Sequence, residues 1–251
     1  MELGALDFAG GAVVHMSSAA AALACAHVLG PRLDLKKGAT APHNLPFTLL
    51  GAGILWFGWF GFNAGSALAA DGLAVNAFTT TQLATAAAMI GWLLVEKLHS
   101  GKATSFGAAS GALAGLVSIT PAAGFVSPGA SLVIGFAGGI FCYGAVLMKN
   151  RLGYDDALDV VGIHGIGGTW GALATGVWAS ASVNGVDGLL YGNPAQLGIQ
   201  ALSVVVTWVF SYGASRMILA LVGAITPIRV TESEEINGLD LSEHCEQGYQ
   251  L

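Results

Sequence analysis

Charged residues are scarce in this sequence: Asp, Glu, Lys and Arg together make up 10% of its 251 residues, against roughly 25% in soluble domains. This scarcity excludes an ordinary soluble domain and predicts an integral membrane protein. Basic residues number 9 against 15 acidic ones, and the net charge of −6 argues against a nucleic-acid partner. The 3 cysteines are too few and too scattered for a disulfide framework or a zinc site, so the sequence predicts no metal.

Apolar and small residues are abundant instead: 54% of the chain is hydrophobic and 37 positions are glycine. Because a membrane-spanning helix needs ~20 apolar residues, the pattern predicts an all-α integral membrane protein with about seven transmembrane helices. They cover residues 8–29, 46–70, 73–97, 104–121, 129–148, 159–179 and 197–225. In the fourth and weakest span, Gly107, Gly111 and Gly115 recur every fourth residue, which favours tight packing against other helices.

Lysine and arginine mark one side of the predicted bundle. Positive charges collect in cytoplasmic loops, and here they follow the first, third, fifth and seventh spans, as Arg32, Lys36, Lys37, Lys97, Lys102, Lys149, Arg151 and Arg229. We therefore expect an external N-terminus, a transmembrane domain over residues 1–226 and a cytoplasmic tail over residues 227–251. An odd number of spans with an external N-terminus and no visible signal peptide is hard to insert, so we expect further helices before residue 1.

Two histidines lie inside otherwise apolar spans, His15 in the first and His164 in the sixth. Ionisable groups inside a span are candidates for function, although a single histidine can equally be a packing residue. The segments DFAGGAVVH and DVVGIHG cross the membrane in opposite directions, and each has an Asp followed by small and β-branched residues and then His. This similarity predicts an inverted repeat in which the two histidines approach each other near the bilayer midplane.

Three charged residues lie at or within the spans. Asp7 and Asp159 each precede a histidine helix, where a carboxylate can cap the free N–H groups of the first turn and is favoured by the helix dipole. The alternative for Asp7 is the recruitment of cations at the outer surface. Arg216, in the seventh span, either extends to the cytoplasmic surface or pairs with an acidic group.

The second span carries an aromatic stripe. Helical spacing places Trp59, Phe62 and Ser66 on one face, with Trp56 and Asn63 beside it. Such a stripe often faces lipid or fills a core, but aromatic faces also attract ammonium-type cations, and a serine oxygen can accept an N–H. The stripe is therefore a candidate path for a cation.

Five motifs resemble the Amt/Mep/Rh ammonium transporter family, with GWFGFNAGS pointing to its Amt branch: DFAGGAVVH (7–15), GWFGFNAGSA (58–67), ITPAAGF (119–125), DVVGIHGIGG (159–168) and GLDLSEHCEQGY (238–249). The resemblance implies eleven transmembrane helices in two inverted five-helix repeats, assembled as a homotrimer with one pore per subunit. This chain then resembles the portion from the fifth helix to the C-terminus. The implied activity is transport of ammonium, with methylammonium as an analogue, across the plasma membrane; an enzyme activity and a cofactor are not expected.

The resemblance also assigns roles to residues of the pore. By motif, His15 and His164 match the family's twin pore histidines, with Trp59 beside them. Phe62 matches one of two stacked gate phenylalanines, and Ser66 matches the hydroxyl of the outer recruitment site.

Further residues are expected to support this pore. Asp7 matches an aspartate near the outer recruitment site, and Thr120 a threonine whose role is packing; Asn63 and Asp159 are expected to be structural. The tail reads His-Cys-Glu where relatives have His-Gly-Glu, with Cys245 in the middle. In relatives this segment contacts a neighbouring subunit and transmits regulation by PII signal proteins, which makes a PII protein an expected partner.

These observations predict a mechanism. An isolated charge in an apolar pore costs many kcal/mol unless it is paired or neutralised. We therefore expect ammonium to be recruited near Ser66 and Phe62 and to lose its proton, so that ammonia passes the histidines while potassium is excluded. Three alternatives stay open: an ammonium sensor signalling through the tail, a fragment that does not transport, and a redox protein whose histidines ligate haem.

Overall fold

The computed structural model describes residues 3–37 and 42–248, which form helices and loops with no β-strand among them. The α-helices are α1 (Ser17–Leu29), α2 (Leu45–Gly65), α3 (Gly72–Ser100), α4 (Ser105–Ile119), α5 (Pro128–Leu152), α6 (Ile166–Trp178), α7 (Ala181–Asn184), α8 (Pro194–Gly223), α9 (Glu232–Asn237) and α10 (Leu239–His244). Two π-helical turns, Gly11–Met16 and Val161–Gly165, precede α1 and α6, and 3₁₀ turns cover Leu33–Lys37 and Leu189–Tyr191. The predicted all-α fold is confirmed.

Each predicted span contains a helix of the structure. Within the described residues, five helical segments are long and apolar enough to cross a membrane: Gly11–Leu29, Leu45–Gly65, Gly72–Ser100, Pro128–Lys149 and Pro194–Gly223. The fourth predicted span contains the shorter α4, of 15 residues, and the sixth is divided into a π turn and α6. Both shorter helices are largely buried by their neighbours, so they lie in the interior of the bundle.

Local sequence explains where the long helices begin and end. The side chains of Asn44, Asp71 and Thr104 accept hydrogen bonds from first-turn N–H groups of α2, α3 and α4, as capping residues do. Gly101 and Gly153 follow α3 and α5 with φ of 81° and 76°, a left-handed conformation that glycine adopts without a steric penalty.

Helices α3, α4 and α5 approach one another closely through glycine. A methyl group added at Gly115 of α4 would lie 2.7 Å from the Ala84 carbonyl oxygen and the Thr85 Cα atom of α3. One added at Gly111 would lie 3.0 Å from the Met89 Cα atom. The tight packing predicted for the glycine face of the fourth span is confirmed, because only residues without a side chain allow this separation.

Helices α2 and α8 lie at the margin of the structure. Only Trp59 and Asn63 are buried among the 21 residues of α2, and only Gln196 and Gln200 among the 30 residues of α8. Helix α8 packs on α1 and α6, while Arg216 lies on its exposed surface. The remaining apolar surface of both helices is available to lipid or to further protein.

The loops that carry positive charge meet at one end of the bundle. Arg32, after α1, forms a salt bridge of 2.8 Å with Asp155, after α5. Arg229, after α8, pairs with Glu235 at 3.0 Å and also donates to the backbone carbonyls of Leu29, the last residue of α1, and Pro31. These connections therefore share one side, as the distribution of lysine and arginine predicts, whereas the assignment of that side to the cytoplasm stays a prediction.

The segment after α8 folds into two short helices. Thr231 and Glu234 form a capping box at the start of α9, an arrangement that satisfies two free N–H groups. Cys245 ends α10 with φ of 54°, a conformation that costs a non-glycine residue roughly 1–2 kcal/mol. The Cys at this position of the tail motif thus adopts a backbone conformation suited to glycine, and residues 249–251 of the motif and C-terminus lie outside the described residues. The division of the chain at residue 226 stays a prediction.

Candidate functional site

Both intramembrane histidines lie in π-helical turns. His15 belongs to Gly11–Met16, which continues into α1, and His164 belongs to Val161–Gly165, which continues into α6. The His15 N–H bonds the Gly10 carbonyl, five residues earlier, at 3.1 Å. Such a turn is wider than an α-helical turn and is frequent at functional sites. The two π turns contact each other, so both histidines face the crossing of the two helices.

The predicted approach of the two histidines is confirmed. The Nδ1 atoms of His15 and His164 lie 3.2 Å apart, so one ring donates and the other accepts. The ring centroids are separated by 5.2 Å. His15 is buried and His164 half-buried, and the Nε2 atom of His15 has no hydrogen-bond partner among the described residues. This separation leaves no room for an iron atom and its macrocycle between the two Nδ1 atoms, so these two atoms cannot both ligate a haem iron in this arrangement.

An aromatic column from α2 covers His15. The His15 ring stacks on the Trp59 indole, with centroids 5.2 Å apart and an interplanar angle of 20°. Phe62 follows one turn later, 5.3 Å from the Trp59 ring and 6.0 Å from His15. The predicted stripe is therefore brought to the histidine pair rather than to a lipid-facing surface.

Buried polar groups hold Trp59 in place. The Trp59 Nε1–H donates to the Thr120 hydroxyl oxygen at 3.0 Å, and Thr120 donates in turn to the Leu116 carbonyl at 2.7 Å. Beside them, the Asn63 amide donates to the Thr81 hydroxyl at 2.9 Å. All of these polar side chains are buried. Thr120 and Asn63 thus lie where supporting residues were expected.

Ser66 lies just beyond the end of α2, one turn after Phe62. Its hydroxyl donates to the Phe62 carbonyl at 2.8 Å, which leaves the serine oxygen free to accept. Phe62 is 38% exposed and Ser66 is half-buried. The column of aromatic rings therefore ends at an accessible hydroxyl.

Asp7 caps the first π turn from outside it. Gly10 occupies the cap position, with φ of 107°, and the Asp7 carboxylate accepts the N–H groups of Gly11, Ala12 and Val13 at 2.5, 3.0 and 3.3 Å. A carboxylate at a helix start is stabilised by these free donors. Asp7 acts as the capping prediction describes.

The capping prediction for Asp159 is wrong. The carboxylate of Asp156 is the one that accepts the N–H groups of Val160 and Val161, at 3.0 and 2.8 Å. Asp159 instead has φ of 57° and pairs with Lys149. Asp156 precedes His164 by the same eight residues that separate Asp7 from His15. This shared spacing was the sequence signal that identifies Asp156 as the counterpart of Asp7. The sequence comparison overlooked it because the motif was taken to begin at Asp159.

Glycine lets the two histidine helices touch. A methyl group added at Gly168 of α6 would lie 2.9 Å from the Gly11 carbonyl oxygen and 3.2 Å from the His15 Cβ atom. A contact of 2.9 Å is shorter than carbon and oxygen tolerate, so the crossing needs a residue without a side chain at this position.

A cavity of about 980 Å³ lies at the positively charged end of the bundle. Its lining includes Ile163, next to His164, and the polar residues Ser110, Lys149 and Asp159. The cavity therefore connects the neighbourhood of the second histidine to the side on which the basic loops meet.

The sequence profile of the Ammonium Transporter Family matches residues 1–249. An "Ammonium transporter" of Bacillus subtilis is 53% identical over 252 aligned residues, covering 99% of this chain and 62% of the relative. "Ammonium transporter Amt1" of Archaeoglobus fulgidus is 47% identical, covering 99% of this chain and 63% of the relative. The chain thus spans about three fifths of the length of these curated relatives.

Solved structures agree with this similarity. The crystal structure of Saccharomyces cerevisiae Mep2 superposes with a TM-score of 0.87 at 36% identity, covering 93% of this chain and 56% of that one. A structure described as a "Sensor Amt Protein" superposes with a TM-score of 0.88 at 33% identity, covering 96% of this chain and 61% of the other.

Proposed function

This chain belongs to the ammonium transporter family and is a multi-pass membrane protein, and from that premise we propose that it forms the part of an ammonium pore that runs past His15 and His164. The observation that carries the proposal is the direct 3.2 Å contact between the two Nδ1 atoms, beside the Trp59 ring that stacks on His15 and the Phe62 ring that follows it. The curated relatives are transporters by name. In the proposed activity ammonium loses a proton and regains one, so the substrate undergoes no net covalent change.

Recruitment takes place at the end of α2. The free lone pairs of the Ser66 oxygen accept an ammonium N–H, and the face of Phe62 attracts the cation, an interaction worth roughly 0.5–1 kcal/mol at exposed sites and ~2 when desolvated. Asp7 contributes negative charge on the same side but is already bonded to three backbone N–H groups. We therefore assign Asp7 a structural role in the site rather than direct contact with the cation.

Ammonium gives its proton to water at the outer end of the aromatic column, and neutral ammonia passes the histidines. Each ring uses Nδ1 for its neighbour, so the two Nε2 atoms are left to bond the substrate; that of His15 is buried and has no partner among the described residues. A permanent cation in this apolar stretch would be costly because no counter-charge compensates for the lost hydration. Ammonia then enters the cavity beside Ile163 and regains a proton at the basic end.

Selectivity against potassium follows from the same chemistry. Ammonium becomes neutral by releasing a proton, whereas potassium keeps its charge and meets the full desolvation cost. Methylammonium can also lose a proton and is an expected second substrate. An acidic side chain in place of His15 or His164 would supply a counter-charge and lower the barrier for metal cations.

The test is transport in proteoliposomes. The two proteins are this chain and a fusion in which the four N-terminal helices that the resemblance predicts, taken from the Bacillus subtilis relative, precede it. We expect saturable ammonium uptake by the fusion, with potassium current at background. His15→Asp and His164→Asp should raise the potassium current at least tenfold.

His99→Asp is the matched control, because it makes the same change at an exposed histidine bonded to Tyr143. Potassium exclusion and unaltered ammonium flux in both pore variants would refute the role of the histidine pair. The ratio of current to uptake separates neutral from electrogenic transport.

A sensor is the second candidate, favoured by the docked tail and by the superposition on a structure described as a sensor. In that case ammonium binds at the same site but uptake is absent from both proteins. Uptake by the fusion alone would identify the 251-residue chain by itself as non-transporting.

The proposal also includes the membrane location, the oligomeric state and a partner of the pore. We propose a plasma-membrane location with the basic end in the cytoplasm, supported by the shared side of the loops after α1, α5 and α8. The exposed apolar surface of α2 is consistent with a homotrimer, and the exposed tail with binding of a PII signal protein.

A further inference from the structure

We infer that Gln200 is a positioning residue of the pore, whose amide fixes the Asp7 segment against the helix that carries His164. The inference deepens the proposed function, on which it rests. Gln200 lies in α8, outside the aromatic column and the histidine pair, and none of the sequence motifs includes it.

The Gln200 side chain is 1% exposed and uses both ends of its amide. Its Oε1 atom accepts the Leu6 N–H at 2.7 Å. Its Nε2 atom donates to the Leu6 carbonyl at 2.7 Å and to the Ala172 carbonyl of α6 at 3.0 Å. One side chain thus joins three parts of the chain that are far apart in sequence.

The bonds to Leu6 hold the residue directly before Asp7. Residues 5–9 belong to no helix, so their position depends on contacts with the rest of the protein. Gln196, one turn earlier in α8, adds a bond of 3.0 Å to the Gly4 carbonyl. Because Asp7 accepts the first N–H groups of the His15 π turn, displacement of Leu6 would shift that turn.

The bond to Ala172 extends the same link to the other histidine. Ala172 lies in α6, the continuation of the His164 π turn. Gln200 therefore sets the position of one π turn relative to the helix of the other, and the 3.2 Å contact between the histidines depends on that relative position.

Only an amide can make this set of bonds. A leucine at position 200 would fill the space but leave the Leu6 N–H, the Leu6 carbonyl and the Ala172 carbonyl without this partner in a buried setting, and buried polar groups are normally paired. A glutamate keeps the acceptor, but when ionised it has no hydrogen to donate.

The protein offers a matched control on the same pair of helices. The Trp208 Nε1–H of α8 donates to the Thr169 hydroxyl of α6 at 2.9 Å in a partly buried position. The Trp208 ring packs against the cluster of Ala12, Met16 and Ala172, but this hydrogen bond involves no residue of the Asp7 segment. Thr169→Val removes that bond between α6 and α8 and leaves the Leu6 bonds in place.

The first readout is hydrogen–deuterium exchange of this chain in detergent, resolved on peptides that contain Gly11–Val13. We expect Gln200→Leu to speed exchange of these amides at least tenfold relative to wild type and to Thr169→Val. Gln200→Glu keeps the size of the side chain, should give the same result, and serves if the leucine variant does not fold. Equal exchange in the Gln200 and Thr169 variants would overturn the inference.

The second readout is uptake by the fusion protein described above. We expect Gln200→Leu to reduce the maximal rate of ammonium uptake at least tenfold and the half-saturating concentration to change less than twofold, because Ser66 and Phe62 keep their positions. A rate loss equal to that of Thr169→Val would reduce Gln200 to a packing residue. If the wild-type fusion does not transport, the proposed function fails, while the exchange experiment still decides the placement of Asp7.

Discussion

Thr120 shows how a buried hydroxyl keeps the Trp59 ring in one orientation. It accepts the Trp59 N–H at 3.0 Å, and the Trp59 ring covers His15. We predict that Thr120→Val, which has the same shape without the acceptor, lowers the free energy of unfolding by about 1–3 kcal/mol, since the indole N–H is left buried and unpaired. Thermal unfolding in detergent measures this effect.

Thr120→Ser is the control, because serine keeps the acceptor. In the fusion protein, the serine variant should retain ammonium uptake, while the valine variant loses part of it. If both variants unfold at the same temperature, the hydrogen bond to Trp59 does not contribute to stability.

Asp156 shows a limit of motif comparison. The motifs starting at Asp7 and Asp159 look alike, yet Asp156 repeats the eight-residue spacing to the histidine and makes the capping bonds. Composition near a histidine is therefore a weaker guide than the distance along the helix, because the carboxylate must reach the N–H groups of the first turn.

Two glycines of α5 differ in how much space surrounds them. In α5, a methyl group added at Gly139 would lie 3.0 Å from the Trp92 backbone nitrogen of α3, whereas one added at Gly144 would meet nothing within 4 Å. We predict that Gly139→Ala destabilises the protein by about 1–3 kcal/mol through overpacking. Gly144→Ala should be neutral or stabilise it by up to about 1 kcal/mol, since alanine favours helix.

Urea titration of the two variants by helix circular dichroism tests this difference. Equal midpoints would mean that α3 and α5 move apart easily and that the close contact at Gly139 does not contribute to stability. The shared three-helix packing also positions Thr81 and Thr120, so a loosened α3 should reduce uptake as well.

The tail connects distant parts of the whole molecule. Glu235 accepts the Leu33 N–H and pairs with Arg229, while Arg32, next to Leu33, pairs with Asp155. We predict that Glu235→Gln frees the tail, which a fluorophore on Cys245 reports as a fall in anisotropy. Cys245 is exposed, whereas Cys25 is half-buried and Cys142 buried, so labelling favours the tail.

The pH dependence of this docking has a definite sign. The Leu33 N–H and then the Arg229 guanidinium hold the pKa of the Glu235 carboxyl below its ordinary value of 4.5. The contribution of Glu235 to docking is therefore fully present above pH 4.5 and is lost as the pH falls through the lowered value. Glu243→Gln, on the exposed surface of the same tail, should leave the anisotropy unchanged; an equal fall in both variants would rule out a specific role for Glu235.

The sequence by itself determined the helical membrane fold, the side on which the basic loops meet, the tight glycine face of α4 and the approach of His15 to His164. These features depend on composition, helical periodicity and repeated motifs, which are local properties of the chain. Only the tertiary structure decided that Gln200 bonds Leu6, 194 positions away. Hydrogen bonds between distant segments depend on how helices pack, and no local pattern in the sequence specifies which buried amide meets which backbone group.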